Sequence, residues 1–173
     1  VSTHAVYELN GESLFAKVTR WTFNHADKIL SLLEHSKNEL VKLGVSENKI
    51  EPYTYWVDQK LFSVKEKNLA KKELNWEEQK FYVLFVARLL EKKGVLELLE
   101  AAKILEHNNI IFHIAGSGPL EEKVKEYSNK FNNIIFHGKL PNSQLPKYFQ
   151  AADAFIIPST HEEGAGRVIM EAL

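Results

Sequence analysis

A group of cations and a pair of acids are the side chains whose types and spacing could do chemistry in this sequence. Arg88 directly follows the apolar run FYVLFVA, and Lys92 and Lys93 come soon after it, at the start of a helical pattern. The N-terminal end of a helix already carries partial positive charge, so two lysines there are unfavourable unless an anion binds. These residues therefore indicate a phosphate site. The alternative is that Arg88 pairs with Glu91 and that the lysines are solvated.

The acids lie near the end of the sequence, in EEGAGRVIMEAL. Glu163 precedes Gly164 and Gly166, which let the backbone approach a ligand closely, and Glu171 falls more than one turn into the expected helix. A carboxylate accepts hydrogen bonds from two hydroxyls at once, so the two acids could hold two polyols, such as a ribose and a sugar. The alternative is that Glu163 only stabilises a helix N-terminus and that Glu171 is solvated.

The elements that position these residues can be read from hydrophobic periodicity. From residue 81 onward, short apolar runs alternate with helical segments of about 10–15 residues, which predicts βαβ units on a parallel sheet flanked by helices, a Rossmann-like α/β fold. Ligands of such sheets bind outside the carboxyl ends of the strands. Residues 1–62 also alternate strand-like and helical patterns. Residues 63–80 are charged and mostly polar, and are predicted to be an exposed connection between units.

Three common motifs are excluded. The turn GSGPL begins like the dinucleotide motif G-x-G-x-x-G, but Glu121 stands at the third glycine and would repel a pyrophosphate. Gly116 and Gly118 then either let the chain turn beside a bulky group or form a purely structural turn. The metal motif H-E-x-x-H fails because Ala165 stands at the second histidine, and no P-loop pattern occurs. We expect neither NAD nor a metal ion.

Composition limits the class of protein further. The chain has 173 residues, 45% of them hydrophobic, a formal net charge of -1 and no cysteine. It can form a packed core, and because neither half is basic we expect no binding to nucleic acid. No apolar run approaches the roughly 18 residues of a membrane helix, and the first residues lack a signal-peptide pattern. We expect a cytoplasmic protein, with a peripheral position on the inner face of the membrane as the alternative.

The combination of motifs resembles a known family. VARLLEKKG, IAGSGPL, IIFHGKLP, AADAFIIPS and EEGAGRVIMEAL occur in that order. Over about residues 81–173 they resemble the retaining glycosyltransferases of the family 4 type (glycosyl transferases group 1), which have the GT-B architecture of two facing Rossmann-like domains. The resemblance implies that residues 1–62 are the C-terminal part of the first, acceptor-side domain and the crossover. Residues 63–173 would be the nucleotide-sugar-binding domain, incomplete at its C-terminus, in a protein truncated at both ends.

The resemblance also implies roles for single residues. Arg88 and Lys93 match the cations that hold the donor diphosphate and neutralise the leaving group. Glu163 matches the glutamate that contacts the donor sugar, and Glu171 the one that contacts the ribose. Further donor-site residues would be the loop glycines Gly164 and Gly166, Gly116 near the nucleotide, Lys139 and Leu140 at the base, and His4, which would reach the donor sugar or is alternatively a structural residue.

The implied activity is a retaining, metal-independent transfer of sugar from a nucleotide-sugar donor, with no further cofactor. The acceptor would be a glycan, a lipid or a small molecule, and membrane contact would come through the missing first domain. The alternative is a non-catalytic nucleotide-sugar-binding module, or a partial domain that needs a partner chain. Because most of the acceptor-side domain would be missing, we expect the 173-residue chain alone to be weakly active or inactive.

Overall fold

The computed structural model describes residues 2–3, 13–32, 34–53, 56–160 and 166–173. The chain divides into two compact units, Val1–Trp56 and Val57–Leu173. Both contain parallel strands flanked by helices, so the predicted α/β fold is confirmed. The assignment of residues 1–62 and 63–173 to two different GT-B domains stays a prediction.

The first unit is built on a three-stranded parallel sheet of order β1-β2-β3. Its helix α1 begins where the Ser13 side chain accepts a hydrogen bond from the Ala16 N–H, at 3.1 Å. A small apolar core joins helices and strands through Phe23, Ile29, Leu40, Val45 and Ile50. The elements are β1 Ser2–Thr3, α1 Leu14–Asn24, β2 Ile29–Ser31, α2 Glu34–Lys42 and β3 Ile50–Pro52.

The second unit is built on a four-stranded parallel sheet of order β6-β5-β4-β7. The strands are β4 Phe81–Val86, β5 Ile110–Ala115, β6 Ile134–Phe136 and β7 Ala154–Phe155. The helices are α3 Lys67–Glu73, α4 Val95–Ile104, α5 Glu121–Lys130, α6 Leu145–Ala151 and α7 Arg167–Ala172. The alternation of strand and helix predicted from residue 81 onward is therefore confirmed.

Both faces of this sheet are buried, which explains why β4 is a continuous apolar run. Val83 and Phe85 point to one face, in a core with residues of α4 and α5. Leu84 and Val86 point to the other face and pack with residues of α6. β5 and β6 lie on one side of β4 and β7 on the other, so the strand order reverses beside β4. Parallel α/β sheets bind ligands outside the strand carboxyl ends at such a point.

Most of residues 63–80 are exposed, as predicted, but the segment belongs to the second unit and part of it is buried. Helix α3 occupies the middle of this segment, and Ala70 and Lys71 are buried in the second unit. Trp76 stacks on Tyr82 of β4, with ring centroids 4.3 Å apart. The segment therefore takes part in the second unit's packing through these buried residues.

Asp153, just before β7, pairs with two lysines of this segment. One carboxylate oxygen accepts from the Tyr82 N–H at 2.9 Å and from Lys71 Nζ at 3.0 Å. The other accepts from Lys67 Nζ at 3.0 Å. Burial works to raise the pKa of Asp153, but these hydrogen bonds outweigh it and hold the pKa below its ordinary value. Asp153 therefore joins α3 to β4 as an ionised group.

None of the helices in the described ranges combines the length and the apolar character that crossing a lipid bilayer requires.

Candidate functional site

A hollow of about 230 Å³ opens at the carboxyl ends of β4, β5 and β6. Val168 of α7 and Leu145 of α6 contribute apolar walls. The polar and loop residues come from the turns after the three strands: Arg88 after β4, Gly116 and Ser117 after β5, and Lys139 and Leu140 after β6. The fold thus brings together four residues that were predicted for a donor site: Arg88, Gly116, Lys139 and Leu140.

Backbone hydrogen bonds hold the three strand-end turns together. The Leu89 N–H donates to the Ser117 carbonyl at 3.0 Å, and the Gly116 N–H donates to the Gly138 carbonyl at 2.8 Å. The turns after β4 and β5, and after β5 and β6, are therefore joined directly. Such turns can form a preorganised rim, since their backbone groups are already fixed by partners within the unit.

Gly116 is required by a close backbone approach. A Cβ atom built on it would overlap the Ala87 carbonyl oxygen and would lie 3.1 Å from the Ala87 carbonyl carbon. The bulky neighbour that the sequence left open is therefore the chain's own backbone after β4. This favours a structural reason for the glycine, while its predicted contact with the nucleotide stays a prediction.

Arg88 is exposed at the rim of the hollow. Within the described residues no ion pair joins Arg88 to Glu91, so the alternative in which these two pair is not supported. A guanidinium placed there presents several fixed N–H donors, an arrangement suited to a phosphate group.

The two lysines after Arg88 lie in a different local structure from the one predicted. Lys92 and Lys93 are in a 3₁₀ turn, and α4 begins only at Val95. The reason is Gly94, whose φ of 72° ends the turn and caps the new helix. The prediction that both lysines start the helix is wrong, although they lie immediately before its N-terminus. Lys93 is absent from the residues that line the hollow in the described part of the chain.

Glu171 is buried, so the alternative that it is solvated is wrong. Its side chain is 2% exposed and its Oε1 accepts from Arg167 Nε at 2.7 Å, one turn earlier in α7. Glu171 lines a second hollow of about 220 Å³, together with residues of the 62–67 segment and of α6. Its predicted contact with a ribose is not tested by this geometry.

Three predicted site residues, His4, Glu163 and Gly164, lie outside the described residues. Gly166 is described and caps the N-terminus of α7 with an extended backbone. Sequence reasoning missed Leu145 and Val168, because an apolar residue at the start of a helix carries no chemical signal. Among the described residues no group of three His, Asp or Glu side chains is arranged to hold a metal ion. Independence from metal stays a prediction.

A parallel sheet with a hollow at its strand ends defines the class of Rossmann-like ligand-binding proteins. Within this broad class the chain can be assigned to one family. The family model described as "Glycosyl transferases group 1" matches residues 66–173, so the chain belongs to this family.

Several relatives are similar in sequence, and two of them illustrate the match. The chain is 30% identical over 136 residues to the uncharacterized glycosyltransferase MJ1607 of Methanocaldococcus jannaschii. This aligned region covers 76% of this chain and 34% of the relative. It is 27% identical over 148 residues to the putative teichuronic acid biosynthesis glycosyltransferase TuaC of Bacillus subtilis, covering 86% of this chain and 36% of the relative. The chain thus spans about a third of the length of these relatives.

Solved structures share the fold. Anabaena Alr3699/HepE in complex with UDP superposes with a TM-score of 0.76 at 19% identity, covering 99% of this chain and 49% of that one. WaaG, a glycosyltransferase involved in lipopolysaccharide biosynthesis, superposes with a TM-score of 0.76 at 18% identity. The match covers 99% of this chain and 52% of the WaaG chain. At these identities the likeness establishes the fold.

Proposed function

We propose that this chain carries the nucleotide-sugar-binding part of a retaining glycosyltransferase. The observation that supports it most is the hollow where Arg88, Gly116 and Lys139 meet, at the ends of neighbouring parallel strands, in a member of glycosyl transferases group 1. In this proposal residues 63–173 bind the donor. Residues 1–62 are the end of the acceptor-side domain and the crossover.

The proposed reaction breaks the bond between the anomeric carbon of the donor sugar and the diphosphate oxygen. The electron pair leaves with the diphosphate, so negative charge grows there while positive charge grows on the sugar. Arg88, Lys93 and the N–H groups at the start of α4 would stabilise the leaving anion. The acceptor hydroxyl attacks the same face of the sugar and passes its proton to the departing phosphate oxygen, which retains the anomeric configuration without a metal ion.

The acids and glycines complete the proposed donor site. Glu163 would contact the sugar, with backbone N–H groups supplied beside Gly164 and Gly166, and His4 would reach the sugar from the first domain. Glu171 would hold the ribose. Val168 and Glu171 are three residues apart on α7 and so share one side of the helix. Because Val168 lines the first hollow, we propose that the ribose extends from it towards Glu171.

An enzyme is favoured over a non-catalytic module because the relatives carry the name glycosyltransferase. The proposed acceptor is a glycan, a lipid-linked sugar or a small molecule. The proposed location is the cytoplasm or the inner face of the membrane. UDP is the first nucleotide to test, since it is the ligand named for the HepE structure.

Ligand-induced thermal stabilisation tests the proposal. Adding a nucleotide diphosphate or its sugar at about 100 times its dissociation constant should stabilise the folded chain by about 2.7 kcal/mol. That corresponds to a rise in Tm of roughly 5–10 °C. The measurement is a thermal-shift screen with UDP, GDP, ADP and their glucose conjugates, run in parallel in buffer with Mg²⁺ and in buffer with EDTA.

The controls in this screen are NADH and inorganic phosphate. Stabilisation by one nucleotide diphosphate but not by NADH supports a nucleotide-sugar site. A Tm that responds to NADH alone, or to none of the nucleotides, would contradict it. A rise in Tm that occurs with a nucleotide in Mg²⁺ but is lost in EDTA would contradict metal independence. The proposed donor site would still be supported in that case.

A further inference from the structure

Two histidines form a hydrogen-bonded pair behind the hollow. His113 of β5 is 5% exposed. Its Nδ1 lies 2.7 Å from Nε2 of His137, the residue that follows β6, and the two rings stack with centroids 5.0 Å apart. At this distance the two nitrogens are hydrogen-bonded, so one of them carries the proton and the other accepts it.

The groups that face the pair are mostly aromatic. Trp76 stacks on His113 at 4.1 Å, Tyr148 of α6 contacts His137 edge-on at 5.0 Å, and Tyr82 of β4 lies 5.6 Å from His113. The Tyr82 hydroxyl accepts a hydrogen bond from the Glu77 N–H at 2.7 Å. Lys147 of α6 is the charged group that acts on His137. The surroundings therefore favour uncharged rings.

The shifts in pKa have the same direction for both residues. Burial, and then His137, lower the pKa of His113 to about 3. Burial, and then Lys147, lower the pKa of His137. The lowered pKa values favour neutral rings at pH 7. The hydrogen bond is compatible with this state, since it needs one ring nitrogen with a proton and one without.

His137 begins the segment that forms one wall of the hollow. Its N–H donates to the Ile114 carbonyl at 2.9 Å, and the next carbonyl, of Gly138, accepts from the Gly116 N–H at 2.8 Å. Residues 139–140 then line the hollow directly. The side chain of His137 is thus bonded to β5 at the point where β6 ends and the wall begins.

We propose that His113 and His137 are positioning residues, whose shared proton fixes residues 137–140 against β5 and thereby shapes the side of the hollow where the nucleotide base binds. The inference rests on the proposed donor site for its functional consequence. Its structural part, the fixed segment, can be measured without any nucleotide.

The test compares two substitutions at one position. His137→Phe keeps an aromatic ring against Tyr148 but removes both ring nitrogens, so His113 Nδ1 loses its partner. His137→Gln supplies an amide that can bond to His113 and does not titrate. His107→Gln, at an exposed histidine before β5, is the matched control. If His137→Phe does not fold, His137→Leu takes its place.

Two readouts separate the inference from the proposed function. We expect the amide resonances of Gly138 and Lys139 to shift and broaden in His137→Phe and to stay near their wild-type positions in His137→Gln. We also expect UDP, GDP or ADP, whichever binds the wild type, to bind His137→Phe about 10-fold more weakly and His137→Gln within about threefold, because one buried hydrogen bond is lost or kept.

The outcomes are decisive in either case. If Gly138 and Lys139 resonances are unmoved in His137→Phe, or move equally in both variants, the positioning role is overturned. Equal nucleotide affinity in His137→Phe and wild type also overturns it. If the wild type binds no nucleotide diphosphate, the proposed function fails, and the amide readout alone then decides the inference.

A pH titration gives an independent check of the pair. The folded-state pKa of His113 lies below the ordinary value of 6.5. The unfolded chain therefore binds more protons between about pH 6.5 and 3, and stability falls as pH falls through this window. From pH 7.5 to 5.0 this residue alone should lower the folding equilibrium constant about 30-fold. His113→Asn should remove that part of the pH dependence; an unchanged pH dependence would contradict a buried neutral pair.

Discussion

Replacing Asp153 with alanine is expected to destabilise the second unit by about 3–5 kcal/mol, because removing one partner of a buried ion pair leaves the other charge uncompensated. The Lys71 side chain is 5% exposed and would lose its carboxylate partner. The Tyr82 N–H would also lose its acceptor, and α3 would lose its bond to β4. A chain of this size cannot lose so much without a large fall in the folded fraction.

Equilibrium urea denaturation measures the effect. Lys67→Ala is the matched control, since Lys67 bonds to the same carboxylate but its side chain is 47% exposed, and exposed pairs contribute about 1 kcal/mol or less. Lys71→Met should cost less than Asp153→Ala because methionine fills the site without charge. If Asp153→Ala and Lys67→Ala have similar small effects, the buried network does not hold α3 in place.

Gly94→Ala is expected to cost about 3 kcal/mol or more, the second large effect. Gly94 has a φ of 72°, in the left-handed region that costs about 1–2 kcal/mol for a residue with a Cβ. An alanine Cβ would also overlap the Pro158 carbonyl oxygen and lie 2.5 Å from its carbonyl carbon. Backbone atoms cannot rotate away, so the segment after β7 or the start of α4 must move.

Gly138→Ala separates the cost of the left-handed backbone conformation from the cost of steric overlap. Gly138 has a φ of 65°, but a Cβ there meets nothing within 4 Å, so only the backbone strain of about 1–2 kcal/mol is expected. The two variants are compared by urea denaturation at the same pH. Equal losses in Gly94→Ala and Gly138→Ala would show that the approach of Pro158 to Gly94 is not a tight one.

The features that were predicted correctly depend on local patterns. Strands β4 and β5 are buried on both faces, so their sequences are continuous apolar runs that stand out from the helices around them. The position of the hollow followed from a general rule of parallel sheets, which places Arg88, Gly116 and Lys139 at one edge once their strands are recognised.

The features that were missed depend on contacts between distant residues. Lys71 pairs with a carboxylate 82 residues away, and in the sequence a buried, paired lysine looks the same as a solvated one. The two bonded histidines are 24 residues apart, one in β5 and the other directly after the neighbouring strand β6. The burial of Glu171 follows from the placement of α7 and from Arg167, neither of which can be read from the spacing of acids alone.

The central claim is that the hollow at the ends of β4, β5 and β6 holds the diphosphate of a nucleotide-sugar. Calorimetric titration of the tightest-binding nucleotide diphosphate into wild type and Arg88→Ala tests it, with Lys103→Ala on the exposed side of α4 as the control. We expect Arg88→Ala to bind about 10- to 100-fold more weakly, the loss of a charge-assisted hydrogen bond, and Lys103→Ala to bind as the wild type does. Tight binding that is unchanged by Arg88→Ala would contradict the account.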